Sequence, residues 1–261
     1  MSTATSPRVF APSATFPPRP VLGITAPGWP IIGAFVAVGA GVTSAAMAIL
    51  GPWGWSVAVV ASLLVAWCVW FFRDPDRATP TEAGVVISPA DGVVCQIVEQ
   101  APARGVIPGD PLPPDRPVTR ISVFMNVFDV HVNRAPADGV VESLSYVPGR
   151  FFNASFDKAS EHNERLAMTI RLPDGRRCVC VQIAGLVARR IVCQAREGIQ
   201  VARGHRYGLI RFGSRVDVYL PDGYAPCVQV GQRAVAGATV ISRRSLAITL
   251  PDGTAPASEG A

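Results

Sequence analysis

Three positions in this chain combine residue types and neighbours that could do chemistry. Ser214 follows Gly213 between two runs of alternating apolar and polar residues, Arg206–Phe212 and Arg215–Leu220. Glycine adopts backbone conformations that other residues avoid, so it can hold its carbonyl open to the next residue's hydroxyl. Strain of about 1–3 kcal/mol at such a site can be part of a mechanism. His131 is one of three histidines, with His162 and His205, and lies in the strand-like segment Phe128-Asp129-Val130-His131-Val132-Asn133-Arg134-Ala135-Pro136. An imidazole there can move protons near neutral pH. Asp91 stands in Ser88-Pro89-Ala90-Asp91-Gly92, just before a strand. A further segment, Phe151–Arg165, mixes aromatics with Asn, Asp and Glu and reads as a lid or headgroup-binding loop. Taken singly, each has a plainer reading: a tight turn, a satisfied core histidine, an Asp-Gly turn, and a solvated loop with a short helix.

Composition narrows the chemistry. The chain has 261 residues, 49% hydrophobic and only 16% charged. Soluble domains carry about 25% charge, so the deficit excludes disorder for most of the chain and points to membrane contact. The net charge of +5 is too diffuse to indicate nucleic acid. Lys158 is the only lysine, and it lies in a polar stretch. A pyridoxal-type enzyme needs a lysine held in a shaped pocket, which this one does not suggest. Six cysteines occur without a C-x-x-C, and they read as reduced, buried thiols of a cytosolic compartment with no metal site. Cys178 and Cys180, two apart on a strand, point the same way.

The elements that position these residues fall into two parts. From Pro20 to Phe72 there is no charged residue. Gly51-Pro52 divides that run into two predicted spans, Ile31–Leu50 and Trp53–Phe72, each about the length that crosses a bilayer. The Pro- and Ser-rich first 20 residues do not read as a cleaved signal peptide. Arg8, Arg19, Arg73 and Arg77 flank the two ends, which places both ends and the rest of the chain in the cytoplasm. Residues 73–261 read as mostly β. Short runs bounded by Gly, Pro and Asp predict strands at Val85–Ile87, Gly92–Glu99, Arg120–Asn126, Val140–Val147, Ala167–Leu172, Arg177–Ile183, Arg189–Gln194, Arg206–Phe212, Arg215–Leu220 and Leu246–Leu250. Pro173-Asp174-Gly175 predicts a hairpin turn. Ala154–Arg165 is the one helical candidate, and residues 101–118 read as a surface loop. Gly84-Val-Val-Ile and Gly237-Ala-Thr-Val-Ile suggest two similar strands near opposite ends of this part. The expected fold class is mainly β (α+β): a sandwich- or barrel-like domain preceded by a two-helix transmembrane hairpin.

In this order, S-P-A-D-G, F-D-V-H-V-N-R-A-P, D-K-A-S-E-x-N-E-R and G-L-I-R-F-G-S-R-V-D-V resemble the phosphatidylserine decarboxylase proenzyme family in its short bacterial form, over roughly residues 73–241. The last motif is the most specific, because the family cleaves itself at this Gly-Ser bond. The resemblance implies that the Ser214 hydroxyl attacks the Gly213 carbonyl and turns the amide into an ester. Elimination then releases Gly213 as a new C-terminus, and the residue left behind hydrolyses to a pyruvoyl group with loss of ammonia. That covalent, self-derived cofactor would take up the substrate amine and act as the electron sink for decarboxylation of phosphatidylserine to phosphatidylethanolamine. The implied site is Ser214, His131 and Asp91, with Gly213 and Ser214 flanking the cut and no metal. Longer family members carry two histidines as H-x-x-H, whereas here His131 is followed by Arg134 at the second position. An arginine is no base at ordinary pH, so activation of Ser214 falls to His131 or Asp91.

The expected organisation is a tail (1–20), a membrane hairpin (21–72) and a catalytic domain (73–261). Cleavage would give fragments 1–213 and 214–261 that stay associated in the inner membrane, with the domain on its cytoplasmic side. Two alternatives are open on sequence alone. One is a pyruvoyl decarboxylase of a related aminoacyl or ether lipid. The other is a membrane-anchored β-module without catalysis.

Overall fold

The computed structural model describes residues 20–100, 117–149, 163–185, 191–211 and 213–245. Its N-terminal helical element, Ala26–Phe71, is long and apolar enough to cross a membrane. Within it, α1 (Trp29–Leu50) carries Pro30 in its first turn, where a missing N–H costs nothing. The helix stops at Gly51, whose φ of +58° an L side chain resists. A 3-10 turn, Gly51–Gly54, leads into α2 (Trp55–Phe71). The turn thus takes Trp53 and Gly54 out of the predicted second span. The two helices touch closely: a Cβ on Gly39 would sit 3.2 Å from the Ala61 side chain, and one on Gly54 2.7 Å from the Met47 backbone. Such small residues let helices approach without polar contacts.

The rest is mainly β, as composition and turn spacing predict. Fourteen strands are described: β1 (Val85–Ile87), β2 (Gly92–Gln100), β3 (Val118–Met125), β4 (Val132–Arg134), β5 (Gly139–Val147), β6 (Arg165–Arg171), β7 (Arg177–Ala184), β8 (Ile191–Cys193), β9 (Gln200–Val201), β10 (Arg206–Ile210), β11 (Ser214–Tyr219), β12 (Tyr224–Pro226), β13 (Arg233–Ala234) and β14 (Val240–Arg244). A curled eight-stranded sheet runs β13-β2-β3-β11-β7-β6-β5-β9, beside two three-stranded sheets, β1-β14-β12 and β4-β10-β8. The Pro173-Asp174-Gly175 turn joins β6 to β7, with Gly175 at φ +85° and its N–H donating to the Leu172 carbonyl at 2.9 Å. The two similar segments near opposite ends meet: β1 pairs antiparallel with β14.

Strand β11 lies at the centre of the large sheet, paired with β3 and β7, and is buried on both faces. On one face Val216 and Val218 join Ile121, Val123, Met125 and Cys180 in the main core. On the other, Tyr219 packs with Val179, Val181 and Ile183. Arg215 and Asp217 also point to that second face. They are buried there because they pair with each other at 2.8 and 2.9 Å, which satisfies both charges.

Three expectations need correction. Arg165 begins β6 rather than ending a helix, because residues 165–171 pair along β5 and β7; the remainder of the helical candidate up to residue 162, with Lys158 and His162, lies outside the described residues. Val118 opens β3 rather than closing a loop. Cys178 and Cys180 are buried on one face, but Cys227 is exposed and Cys95 and Cys193 are half-buried, because they sit on strands or turns that face solvent on one side. The predicted strand Leu246–Leu250 lies outside the described residues.

Candidate active site

The chain leaves β10, in the sheet β4-β10-β8, and enters β11, in the large sheet, through Gly213. Gly213 has φ +68°, the left-handed region that a side chain disfavours. Ser214 opens β11 opposite Met125 of β3 and Ala184 of β7. It is fully buried, and its Oγ has no hydrogen-bond partner among the described residues. Ser122 Oγ, buried on β3 of the same sheet, is likewise unpaired among the described residues, so it is the neighbouring glycine and imidazole that single Ser214 out.

His131 lies one residue before β4 and 2% exposed. The pairing of β4 with β10 brings it to the junction: Leu209 pairs with Val132, and the Ile210 N–H donates to the His131 carbonyl at 3.3 Å. The Gly213 N–H donates to His131 Nε2 at 3.2 Å. That Nε2 must therefore carry a lone pair, which puts the ring proton on Nδ1, where it donates to the Asp129 carbonyl at 2.9 Å. Burial pushes the imidazole pKa down to about 4, against smaller opposing effects of the Asp129 carbonyl and carboxylate. The neutral ring is thus the form present at physiological pH. The Asp129 carboxylate accepts the Asn126 N–H at 2.9 Å and pairs with Arg233, which fixes the loop that carries His131.

Asp91 is placed differently. Its Oδ1 accepts the Ala236 N–H at 2.7 Å and its Oδ2 pairs with Arg77 at 2.8 Å. Burial raises its pKa, while the Ala236 N–H and Arg77 act the other way. Gly92, the next residue, is pressed against β3, where a Cβ would lie 2.1 Å from the Phe124 carbonyl oxygen. The geometry thus brings Gly213, Ser214 and His131 together and holds Asp91 on its own partners. Asp91 is linked to their surroundings through Gly92, which packs on Met125 opposite Ser214, and through Arg73 and Asp129, the charges that also act on His131.

Arg134, at the end of β4, turns away from the junction. Its guanidinium donates to Asp74 Oδ1 and the Pro75 carbonyl, both at 2.9 Å, and to the Gly204 carbonyl at 3.1 Å. Arg206 also pairs with Asp74, at 2.5 Å. Arg134 clasps the segment that follows α2. Of Phe151–Arg165, only the end is described: Asn163 Nδ2 donates at 2.8 Å to the carbonyl of Ala184, a cross-strand partner of Ser214.

Sequence reasoning missed Phe71. The last residue of α2 lays its ring on the His131 imidazole, centroids 4.2 Å apart and planes at 35°. Nothing in an apolar run of this length singles out one phenylalanine. It also missed the buried amide pair of Gln182 and Asn133, in which Gln182 Nε2 donates to Asn133 Oδ1 at 2.8 Å. The polar residue in an apolar strand was the available signal.

Comparison with known proteins finds relatives that cover most of the chain. The sequence profile of the phosphatidylserine decarboxylase family matches residues 64–242. The chain is 54% identical to the phosphatidylserine decarboxylase proenzyme of Paramagnetospirillum magneticum over 215 residues, which is 82% of this chain and 84% of that protein. It is 53% identical to the corresponding proenzyme of Cereibacter sphaeroides over 80% of this chain and 86% of that one. For the proenzyme of Solidesulfovibrio magneticus the figures are 47% identity, 87% and 99%. A glycine-serine junction with a neutral imidazole at its backbone, inside a chain so matched, leads to one assignment: the chain belongs to the phosphatidylserine decarboxylase family.

Proposed function

We propose that this chain is the proenzyme of a pyruvoyl-dependent phosphatidylserine decarboxylase that cuts itself between Gly213 and Ser214. The observation that carries this reading is the junction itself: an unpaired, buried Ser214 hydroxyl beside a left-handed glycine whose N–H sits on His131 Nε2. In the first step Ser214 Oγ bonds to the Gly213 carbonyl carbon as the peptide C–N bond breaks, and the proton leaving Oγ ends on the released Ser214 nitrogen, so an ester still joins the two parts. Loss of the Ser214 Cα proton then breaks the Cβ–Oγ bond, Gly213 leaves as a carboxylate, and the dehydroalanine left at 214 takes up water and loses ammonia. His131 is neutral and bonded to the residue under attack, so it is placed to relay the Oγ proton, a contribution of about 10²–10⁴-fold. The Asp129 carbonyl holds the ring in the tautomer that leaves Nε2 basic. Asp91 acts as a positioning residue, tying the Ala236 turn and Arg77 against the start of β2.

The pyruvoyl group would keep the Ser214 β- and α-carbons as a methyl and a ketone, the ketone oxygen taking the place of the amide nitrogen, so it needs no more space than the buried serine that opens β11. That group, once formed, supplies the electron sink for loss of CO₂ from an amine-bearing substrate. His131 then serves as the nearby proton carrier, freed of the Gly213 N–H once the chain is cut.

The helical element reads as two spans, α1 and α2, joined by a turn on the far side of the membrane. Arginines at both flanks favour a cytoplasmic domain. The domain spans residues 73–261, after a tail (1–20) and the hairpin (21–72), in the inner membrane. The end of α2 lies against His131, so the site stands at headgroup level, as a lipid substrate requires. The test is CO₂ release from detergent-mixed phosphatidylserine beside a denaturing gel. We expect two chains and activity. A single intact chain that releases no CO₂ would favour a binding module instead.

A further inference from the structure

We propose that Phe71 is a positioning residue for His131, so that the end of the helical element forms a wall of the reaction site as well as an anchor. The inference rests on the role given to His131 above. Phe71 is 1% exposed, and its ring covers one face of the imidazole. It also stacks on Trp67 and Phe72 and belongs to a buried cluster with Cys68, Ile24 and Ile32.

The backbone on either side is pinned to the domain and to the chain entering α1. The Thr25 N–H donates to the Phe72 carbonyl at 3.0 Å and the Asp74 N–H to the Gly23 carbonyl at 2.7 Å. Phe72 presses on Gly28, where a Cβ would meet it at 2.6 Å. Arg73 donates to the Phe128 carbonyl at 2.7 Å, in the loop that carries Asp129 and His131. Asp74 is held by Arg134 and Arg206. A segment fixed at so many points does not drift, so the ring it carries excludes water from the imidazole and sets its plane.

The charged groups around His131 are few. Arg73, just past α2, opposes protonation and Asp129, in its own loop, favours it; Arg233 of β13 is paired with that carboxylate. β10 contributes the Ile210 backbone. Burial dominates over these charges, and Phe71 is the side chain that supplies aromatic cover.

The test uses the full chain carrying Ser214→Ala, which keeps the junction uncut, with histidine-selective NMR in micelles followed against pH. In this background His131 is expected to stay neutral down to about 4. Phe71→Ala should move its titration up by a unit or more toward 6.5, and Phe71→Leu, which keeps apolar cover, by less and in the same direction. If Phe71→Ala does not fold, the Leu variant still decides. In the cleavable chain, the acid limb of cleavage rate against pH should move up in parallel. An unshifted titration in a folded Phe71 variant would overturn the proposal. Because this readout needs no cleavage, it is separate from the role of His131, which fails instead if His131→Ala cuts at the normal rate.

Discussion

Two residues three apart on one short segment have different fates. His131 faces the Gly213–Ser214 junction, where the serine hydroxyl is buried without a partner and the histidine lone pair is bonded to the residue to be cut. Arg134 faces the segment after α2, where Asp74 takes up both Arg134 and Arg206 and the remaining guanidinium donors reach backbone carbonyls. One end of the segment holds an imidazole against the bond where reaction is proposed. The other is satisfied where the helical element must be held. The left-handed glycine and the imidazole on its N–H mark the chemistry, and the paired guanidinium marks the scaffold.

That contrast can be broken at either end. The largest effect is expected at the junction. His131→Ala should slow cutting of the folded fraction, and turnover per titrated pyruvoyl, by about 10²–10⁴-fold, well beyond what its loss of stability explains. A gel time course beside a melting curve checks it. At the clasp the pattern should invert. Asp74→Ala leaves the buried Arg134 guanidinium without its carboxylate, at a cost of about 3–5 kcal/mol, while the half-buried Arg206 keeps Asp76. It should lower the melting midpoint while the folded fraction still cuts at a near-normal rate.

The pH dependence sharpens the same contrast. A histidine with its pKa depressed to about 4 in the folded chain adds stability that is fully present above 6.5 and is lost as pH falls through about 4. The shift corresponds to about 3 kcal/mol. Denaturant unfolding of the Ser214→Ala chain between pH 7 and 4 should show that loss, and His131→Gln should flatten it. The smallest effect is expected at Asp91. Asp91→Asn keeps an oxygen for the Ala236 N–H and should cut within about tenfold of normal, an allowance of about 1.4 kcal/mol for the lost charge of a partly exposed pair. Asp91→Ala, which loses that acceptor, should accumulate uncut chain. Equal failure of both variants would show that the charge itself is needed.

Much of this was legible in the sequence, and the rest was not for physical reasons. The Pro-Asp-Gly hairpin and the break at Gly51 are local, set by φ preferences that residue type reveals. The Gly213–Ser214 junction is readable for the same reason. Strand β11 was readable as a strand, but its alternation of Val216 and Val218 with Arg215 and Asp217 looked half-buried. Only the ion pair between Arg215 and Asp217 explains how both faces are covered. Strand β4, three residues long, is too short for any periodicity, and its place depends on β10, more than 70 residues on. The Phe71–His131 stack and the Arg134–Asp74 clasp join positions 60 residues apart in sequence, which no local pattern encodes.

The central claim is the cut between Gly213 and Ser214, and intact mass spectrometry of the purified, denatured protein tests it most directly. The account predicts two chains, residues 1–213 and a 48-residue chain from position 214 to 261 whose first residue has the mass of a pyruvoyl group, and a single uncut chain for Ser214→Ala. A wild-type chain of 261 residues with an unmodified Ser214, or a Ser214→Ala chain cut at the same bond, would contradict it.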